Sequence, residues 1–256
     1  MRGRRNPLGV IVLLAIPALW ELAIRSGAIG VRFLPAPTAV LGAARDVVLG
    51  GELVQHVAHT VVVTLVGWLV ASSIGVFLGL ALGLSETAHR FSMTSFEVTR
   101  AIPPITFAPA ALLVFGFSLR MGLVLVIYVG IWPVLVNTIG GVRSVAPELR
   151  DLARMLRLSH QETIRKVVLP AAMPSIVVGL RLALSMCLIL AIVAEMVGNP
   201  AGVGNALIRA SQALQPETMF VYVITAGLLG VGLNAAFGAA ARAVLPQGPS
   251  PGGSPW

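Results

Sequence analysis

Few side chains in this sequence can do chemistry, and their spacing excludes more than it offers. Lys166 is the only lysine among 18 basic residues. It follows Arg165 and precedes Val167. A phosphate-cradling loop, Gly-x4-Gly-Lys-Ser/Thr, needs its lysine between a glycine and a hydroxyl residue, so the sequence contains no such loop. The four histidines, His56, His59, His89 and His160, fall in loops or at the ends of apolar runs. His56 and His59 sit at i, i+3, a spacing a metal can use, but no third ligand of clear spacing accompanies them. The single cysteine, Cys187, excludes an internal disulfide and a cysteine metal cluster and reads as a small core residue. No nucleophile, base and orienting group converge as a hydrolase requires. No catalytic residue, metal or cofactor is expected.

The remaining polar groups of interest lie inside apolar runs. Arg181 is an arginine at membrane depth, which attracts an anion or snorkels to headgroups. Asn137, Ser185 and Asn234 either line a path or bond neighbouring helices. Glu195, near the outer end of its run, either gates an outer mouth or binds a structural partner. Asn137, Arg181, Ser185 and Glu195 are the candidates for a translocation pathway. An ion-coupled transporter would carry acids deep in the bundle, whereas Glu21 and Glu195 both lie near run ends.

The elements that position these residues follow from composition. Of 256 residues 57% are hydrophobic and only 11% charged, less than half the roughly 25% of a soluble domain. A water-soluble enzyme is thereby excluded. Runs of about 17–25 apolar residues cross a bilayer, and six occur: Pro7–Ile24, Ala58–Leu84, Ala101–Leu119, Met121–Val142, Ala171–Val197 and Met219–Ala241. The fold class is all-α, a polytopic membrane bundle of about six transmembrane helices. The first run follows a basic start without a small-x-small cleavage site, so it is read as a retained helix. Residues 1–242 form one transmembrane domain, and the Pro/Gly/Ser-rich residues 243–256 a disordered tail.

With the amino terminus inside, the inner side carries Arg2, Arg4, Arg5, Arg90, Arg100, Arg143, Arg150, Arg154, Arg157, Arg165, Lys166 and Arg242. The outer side carries Arg25, Arg32, Arg45, Arg120 and Arg209. This bias places both termini in the cytoplasm. It also accounts for the net charge of +8 without nucleic acid. In the outer segment, Val40, Leu41, Ala44, Val47 and Val48 recur at helical spacing and predict a short interfacial helix. Gly67, Ala71, Gly75, Gly79 and Gly83 recur every fourth residue, a small face along which another helix packs closely. Pro103, Pro104, Pro109 and Pro133 predict kinks.

The longest inner loop, Pro147–Pro170, is also the most charged. Leu149, Leu152, Ala153 and Leu156 follow i, i+3, i+4, i+7, with Arg150, Asp151, Arg154 and Arg157 on the other face and Asp151 able to pair with Arg154. Ser159-His160-Gln161-Glu162 is a capping box opening a second helix, expected to end at Leu169-Pro170. Two readings of this basic, apolar-striped helix pair stand open: a helix lying on anionic lipid, or one docked in the groove of a cytoplasmic partner.

Asp151-Leu152-Ala153, Arg157 and Val167-Val168-Leu169-Pro170 resemble, in spacing throughout, the E-A-A-x3-G-x9-I-x-L-P loop of ABC importer permeases. The segments Leu34–Val40, Arg100–Pro104, Asn137–Val142, Ala194–Gly198 and Gly202–Gly204 resemble the nitrate/sulfonate/taurine branch, and the likeness covers roughly residues 30–242. The resemblance implies a type I ABC importer permease fold in the plasma (inner) membrane. It further implies a homodimer, two separate ATP-binding subunits and an extracytoplasmic solute-binding protein. The solute expected is a small anion of the sulfonate, taurine or nitrate class. Leu149, Leu152, Ala153 and Leu156 would then be buried against an ATPase. Asp151, Arg154 and Arg157 would set register, and Ser159, Glu162, Leu169 and Pro170 would complete the loop. Arg157 stands where the family usually has Gly, which tolerates positive φ. Arginine is expected to disfavour the usual turn and shift the docking geometry.

Overall fold

The computed structural model describes residues 7–27 and 33–244. The Pro/Gly/Ser-rich tail and the basic residues Arg2, Arg4, Arg5 and Arg32 lie outside them. Every regular element among the described residues is helical: α1 (Pro7–Arg25), α2 (Pro37–Leu49), α3 (Glu52–Leu84), α4 (Glu86–Ala101), a 3₁₀ turn (Pro104–Phe107), α5 (Ala108–Phe115), α6 (Leu119–Arg143), α7 (Pro147–Met155), α8 (His160–Thr163), a π turn (Ile164–Val168), α9 (Leu169–Gly198), α10 (Val203–Gln212) and α11 (Pro216–Val244). Among the described residues, four helices are long and apolar enough to cross a membrane. They are Glu52–Leu84, Leu119–Arg143, the continuous His160–Gly198 and Pro216–Ala243. Helix α1 covers the first apolar run, and α2 is the short helix expected around Val40.

One apolar run is not what hydropathy suggests. Ala101–Leu119 is not a straight span: the chain bends by 77° between α4 and the segment Pro104–Phe115, and the pair together makes at most one broken crossing. Proline restricts the residue before it to extended backbone, and Ile102 and Pro103 have ψ of 121° and 123°. Helix α4, capped by Ser85 accepting from the Ala88 amide, carries too many polar residues to register as an apolar run.

Helices α3, α6 and α9 make the core. The small face of α3 lies against α6: Cβ atoms built on Gly75 and Gly83 would stand 2.8 and 2.7 Å from side-chain carbons of Val134 and Val142, one on Gly79 2.5 Å from the Thr138 Cβ, and Gly67 abuts Val126. Ala71, fully buried, meets α6 at Gly130. A Cβ there would lie 2.8 Å from that of Ala71 and 2.7 Å from the Cys187 sulfur of α9. At this crossing the three helices approach as closely as their backbones permit. The α9 face of Gly179, Ala183, Cys187, Ala191 and Glu195 is buried. Arg143, ending α6, pairs with Glu86, opening α4, at 2.8 Å, so the α3–α4 turn and the α7 loop share one end of the bundle.

Candidate functional site

At that end, α7 starts at Pro147, whose missing N–H falls where a helix has no partner for one. It is pinned from both sides. Ala153, 2% exposed, is its one buried residue, and the Arg150 guanidinium donates to the Val142 carbonyl near the end of α6 at 2.8 Å. Arg150 thus caps α6 rather than joining a free basic face. Asp151 and Arg154 pair at 3.0 Å. The apolar stripe faces outward: Leu149 is 41% exposed, Leu152 50%, Leu156 62%, and Met155 beside them 79%.

The turn after α7 is made at Arg157 in spite of its side chain. Arg157 has φ of +50°, its amide donates to the Arg154 carbonyl, and the Leu158 amide to the Ala153 carbonyl, both at 3.0 Å. These are the two bonds of a Schellman cap, with arginine where glycine is usual. Arginine is expected to disfavour this turn, yet the turn forms, its left-handed backbone held by the two capping bonds. That conformation costs an L-residue roughly 1–2 kcal/mol. Arg157→Gly should therefore stabilise the protein by about 1 kcal/mol, read as a raised Tm. An unchanged or lowered Tm would argue against strain at this residue.

Beyond the turn, the capping box closes in both directions. Ser159 Oγ accepts from the Glu162 amide at 3.3 Å, and Glu162 Oε2 from the Ser159 amide at 3.0 Å. The Lys166 ammonium donates to Glu162 Oε1 at 2.8 Å. The second helix does not end at Leu169-Pro170. It passes through the π turn into α9 as one 39-residue helix, with Leu169 half-buried and Pro170 exposed. The Leu169 amide reaches back five residues to the Ile164 carbonyl. This widening makes room for Pro170, whose ring would clash with a regular α-helical turn.

The four pathway candidates do not meet. Asn137 lines a cavity of about 570 Å³ between α4, α6 and α9, with Glu97, Arg100, Trp132, Pro133 and Met186. Its Nδ2 donates to the Pro133 carbonyl at 2.8 Å. Phe96, Trp132, Tyr128 and Phe107 stack edge-on beside it. The Tyr128 hydroxyl donates to the Thr99 carbonyl and ties the bend of α4 to α6. In the sequence this aromatic ladder has one signal, Tyr128 and Trp132 one turn apart. Arg181 lines a different space of about 700 Å³ between α9 and α11, with Asn234 and Arg242. Ser185 accepts from Asn234 Nδ2 at 3.0 Å.

Glu195 lies at the far end, 1% exposed. It contacts the Thr60 hydroxyl at 2.9 Å through both carboxyl oxygens and accepts from the Gly204 amide at 3.0 Å. Thr60 Oγ1 in turn accepts from the Val203 amide at 2.9 Å. Glu195 and Thr60 thus fasten the amino end of α10 onto α9 and α3, where amide donors favour an acceptor. His56 and His59 belong to α3 itself, not to a loop. Nδ1 of His56 accepts from the Gly202 amide and Nε2 of His59 pairs with Asn199. Among the described residues no three His, Cys, Asp or Glu side chains gather as metal ligands.

Residues 71–247 match the family model described as binding-protein-dependent transport system inner membrane component. The chain is 34% identical over 224 residues, 88% of its length and 83% of the relative's, to a putative aliphatic sulfonates transport permease protein SsuC of Escherichia coli (strain K12). It is 31% identical to the nitrate import permease protein NrtB of Leptolyngbya laminosa, over 71% of this chain and 65% of that one. Its fold matches a chain of the inward-facing MetNI methionine ABC transporter with a TM-score of 0.67 at 19% identity, covering 75% of this chain and 96% of the other. The architecture is the type I importer permease fold.

Proposed function

We infer the role of this chain from one premise: it belongs to the family of binding-protein-dependent transport system inner membrane components. It is a multi-pass permease component of an ABC importer, and hydrolysis of ATP falls to a separate subunit. The observation that carries the coupling role is α7. It is anchored by Ala153 and Arg150, yet presents Leu149, Leu152, Met155 and Leu156 to the outside. An amphipathic helix with an uncovered apolar stripe and flanking charges suits a groove in a partner protein.

On this reading two copies of the chain form the pore, each α7 seats in one ATPase, and both termini face the cytoplasm. Closure of the ATPases on ATP draws the loops together, tilts α6 and α9 and opens the cavity outward. A binding protein then releases solute, and hydrolysis resets the pore. Because α8 and α9 are one uninterrupted helix, movement at α7 passes directly into the core helix. Relatives named for aliphatic sulfonates, nitrate and bicarbonate all carry names of small oxyanions, which supports a small anionic solute here. The test is uptake into vesicles holding the permease, its ATPase and its binding protein. Uptake of an alkanesulfonate or nitrate is expected to require ATP and to survive collapse of the ion gradients. Uptake that follows an ion gradient without ATP would contradict the proposal.

A further inference from the structure

The space between α9 and α11 is separate from the Asn137 cavity. Two cations, Arg181 and Arg242, line it, and neither has a carboxylate partner among the described residues. Its α11 side is open at two glycines: Gly227 and Gly238 have nothing within 4 Å of where a Cβ would stand. The hydrogen bond from Asn234 to Ser185 fixes the register of these antiparallel helices. Arg181 lies one helical turn inward of Ser185, and Arg242 two turns inward of Asn234.

Depth follows from helix length. A crossing takes about 20 residues. Counted from Gly198, the outer end of α9, it reaches the inner boundary at roughly residue 179; counted from Pro216, the outer end of α11, at roughly residue 236. Arg181 therefore lies at the inner boundary and Arg242 just beyond it. This rests on the orientation proposed above, with the α7 loop inside.

We propose that this groove seats the oxyanion headgroup of an anionic phospholipid of the inner leaflet, held by Arg181 and Arg242 with Asn234 beside them. Basic pockets between membrane helices on the cytoplasmic side recognise such headgroups. Two guanidinium groups across a space of about 700 Å³ suit a phosphodiester flanked by its glycerols better than a lone nitrate. The Asn137 cavity lies between other helices, α4, α6 and α9, while α11 packs chiefly on α9, α10 and α2, at the flank of the core.

The test is lipid retention by the purified transporter, exchanged into mixed phosphatidylglycerol and phosphatidylcholine and read by native mass spectrometry. The wild type is expected to retain phosphatidylglycerol preferentially. Arg181→Gln with Arg242→Gln should lower that preference roughly 30-fold. Arg181→Lys with Arg242→Lys, which keeps the charges, should retain most of it and so separates headgroup binding from misfolding. Equal retention of both lipids by the wild type, or an unchanged preference in the glutamine pair, overturns the proposal. So does displacement of the lipid by excess methanesulfonate, which would assign the groove to solute. None of these readings involves ATP hydrolysis, so their failure leaves the coupling role standing. Orientation is read separately: Met155→Cys is expected to react with an impermeant thiol reagent only from the cytoplasmic side, and labelling from the outer side would overturn the placement of this groove at the inner leaflet.

Discussion

A transporter assembled with residues 148–158 deleted is expected to hydrolyse ATP at a rate that no longer responds to solute. The deletion removes the exposed stripe of α7 together with its anchors, Ala153 and Arg150. A subtler variant separates contact from folding. Leu149→Glu with Leu152→Glu leaves Ala153, the Schellman cap at Arg157 and the capping box of Ser159 and Glu162 untouched. Burying a leucine side chain is worth about 1.5–3 kcal/mol. With both residues 40–50% exposed in the isolated chain, two charges in their place should weaken ATPase binding by about 3 kcal/mol, more than a hundredfold. Solute-stimulated hydrolysis should fall with it while the purified permease keeps its Tm. Normal stimulation in either variant would sink the coupling role of α7.

The second large effect is expected at the other end. In Gly204→Ala the new methyl would overlap the Ile192 carbonyl and stand 2.9 Å from the Glu195 Cβ. Neither can swing aside, because one is backbone of α9 and the other is at the root of a buried side chain. Gly202 adds a backbone requirement, with φ of +104° and the Glu195 carboxyl occupying the place of any Cβ. Gly204→Ala should cost at least about 3 kcal/mol and eliminate most of the monodisperse protein. Gly232→Ala, where nothing lies within 4 Å, should be silent. Thr60→Val keeps the shape and removes the hydroxyl shared by Glu195 and the Val203 amide, leaving buried polar groups without partners at about 1–3 kcal/mol. Yield and Tm of the three purified variants check this. A Gly204→Ala protein as stable as Gly232→Ala would show that α10 is not clamped there.

Much of this was legible in the sequence because it is periodic or local. The fourfold spacing from Gly67 to Gly83, the capping box at Ser159 and the helical stripe of Leu149 to Leu156 depend on residues within a few turns of one another. Hydropathy located the spans; the kink at Pro103-Pro104 was signalled by its prolines, but not its size, since an apolar run reads alike whether straight or broken at 77°. Pro170 reads as a stop signal because proline costs an α-helix a hydrogen bond and crowds the preceding turn; the π turn that accommodates it has no signature in composition. The Glu195 clamp joins residues 135 apart, beyond any spacing rule, and Glu195 read instead as an acid near a membrane boundary. Arg157 shows the converse: its residue type argued against the left-handed turn, and the capping bonds around it prevailed.

The central claim, that α7 delivers the work of a separate ATPase to this pore, is tested most directly by photo-cross-linking from Met155. This side chain is 79% exposed on the apolar stripe. With benzoylphenylalanine at position 155 in the assembled transporter in membranes, a covalent product of permease and ATP-binding subunit is expected. The same probe at Val231, exposed on α11, should yield none. Attachment from position 155 to lipid alone, with uptake still driven by ATP, would show a helix lying on the membrane surface and contradict the coupling role given to α7.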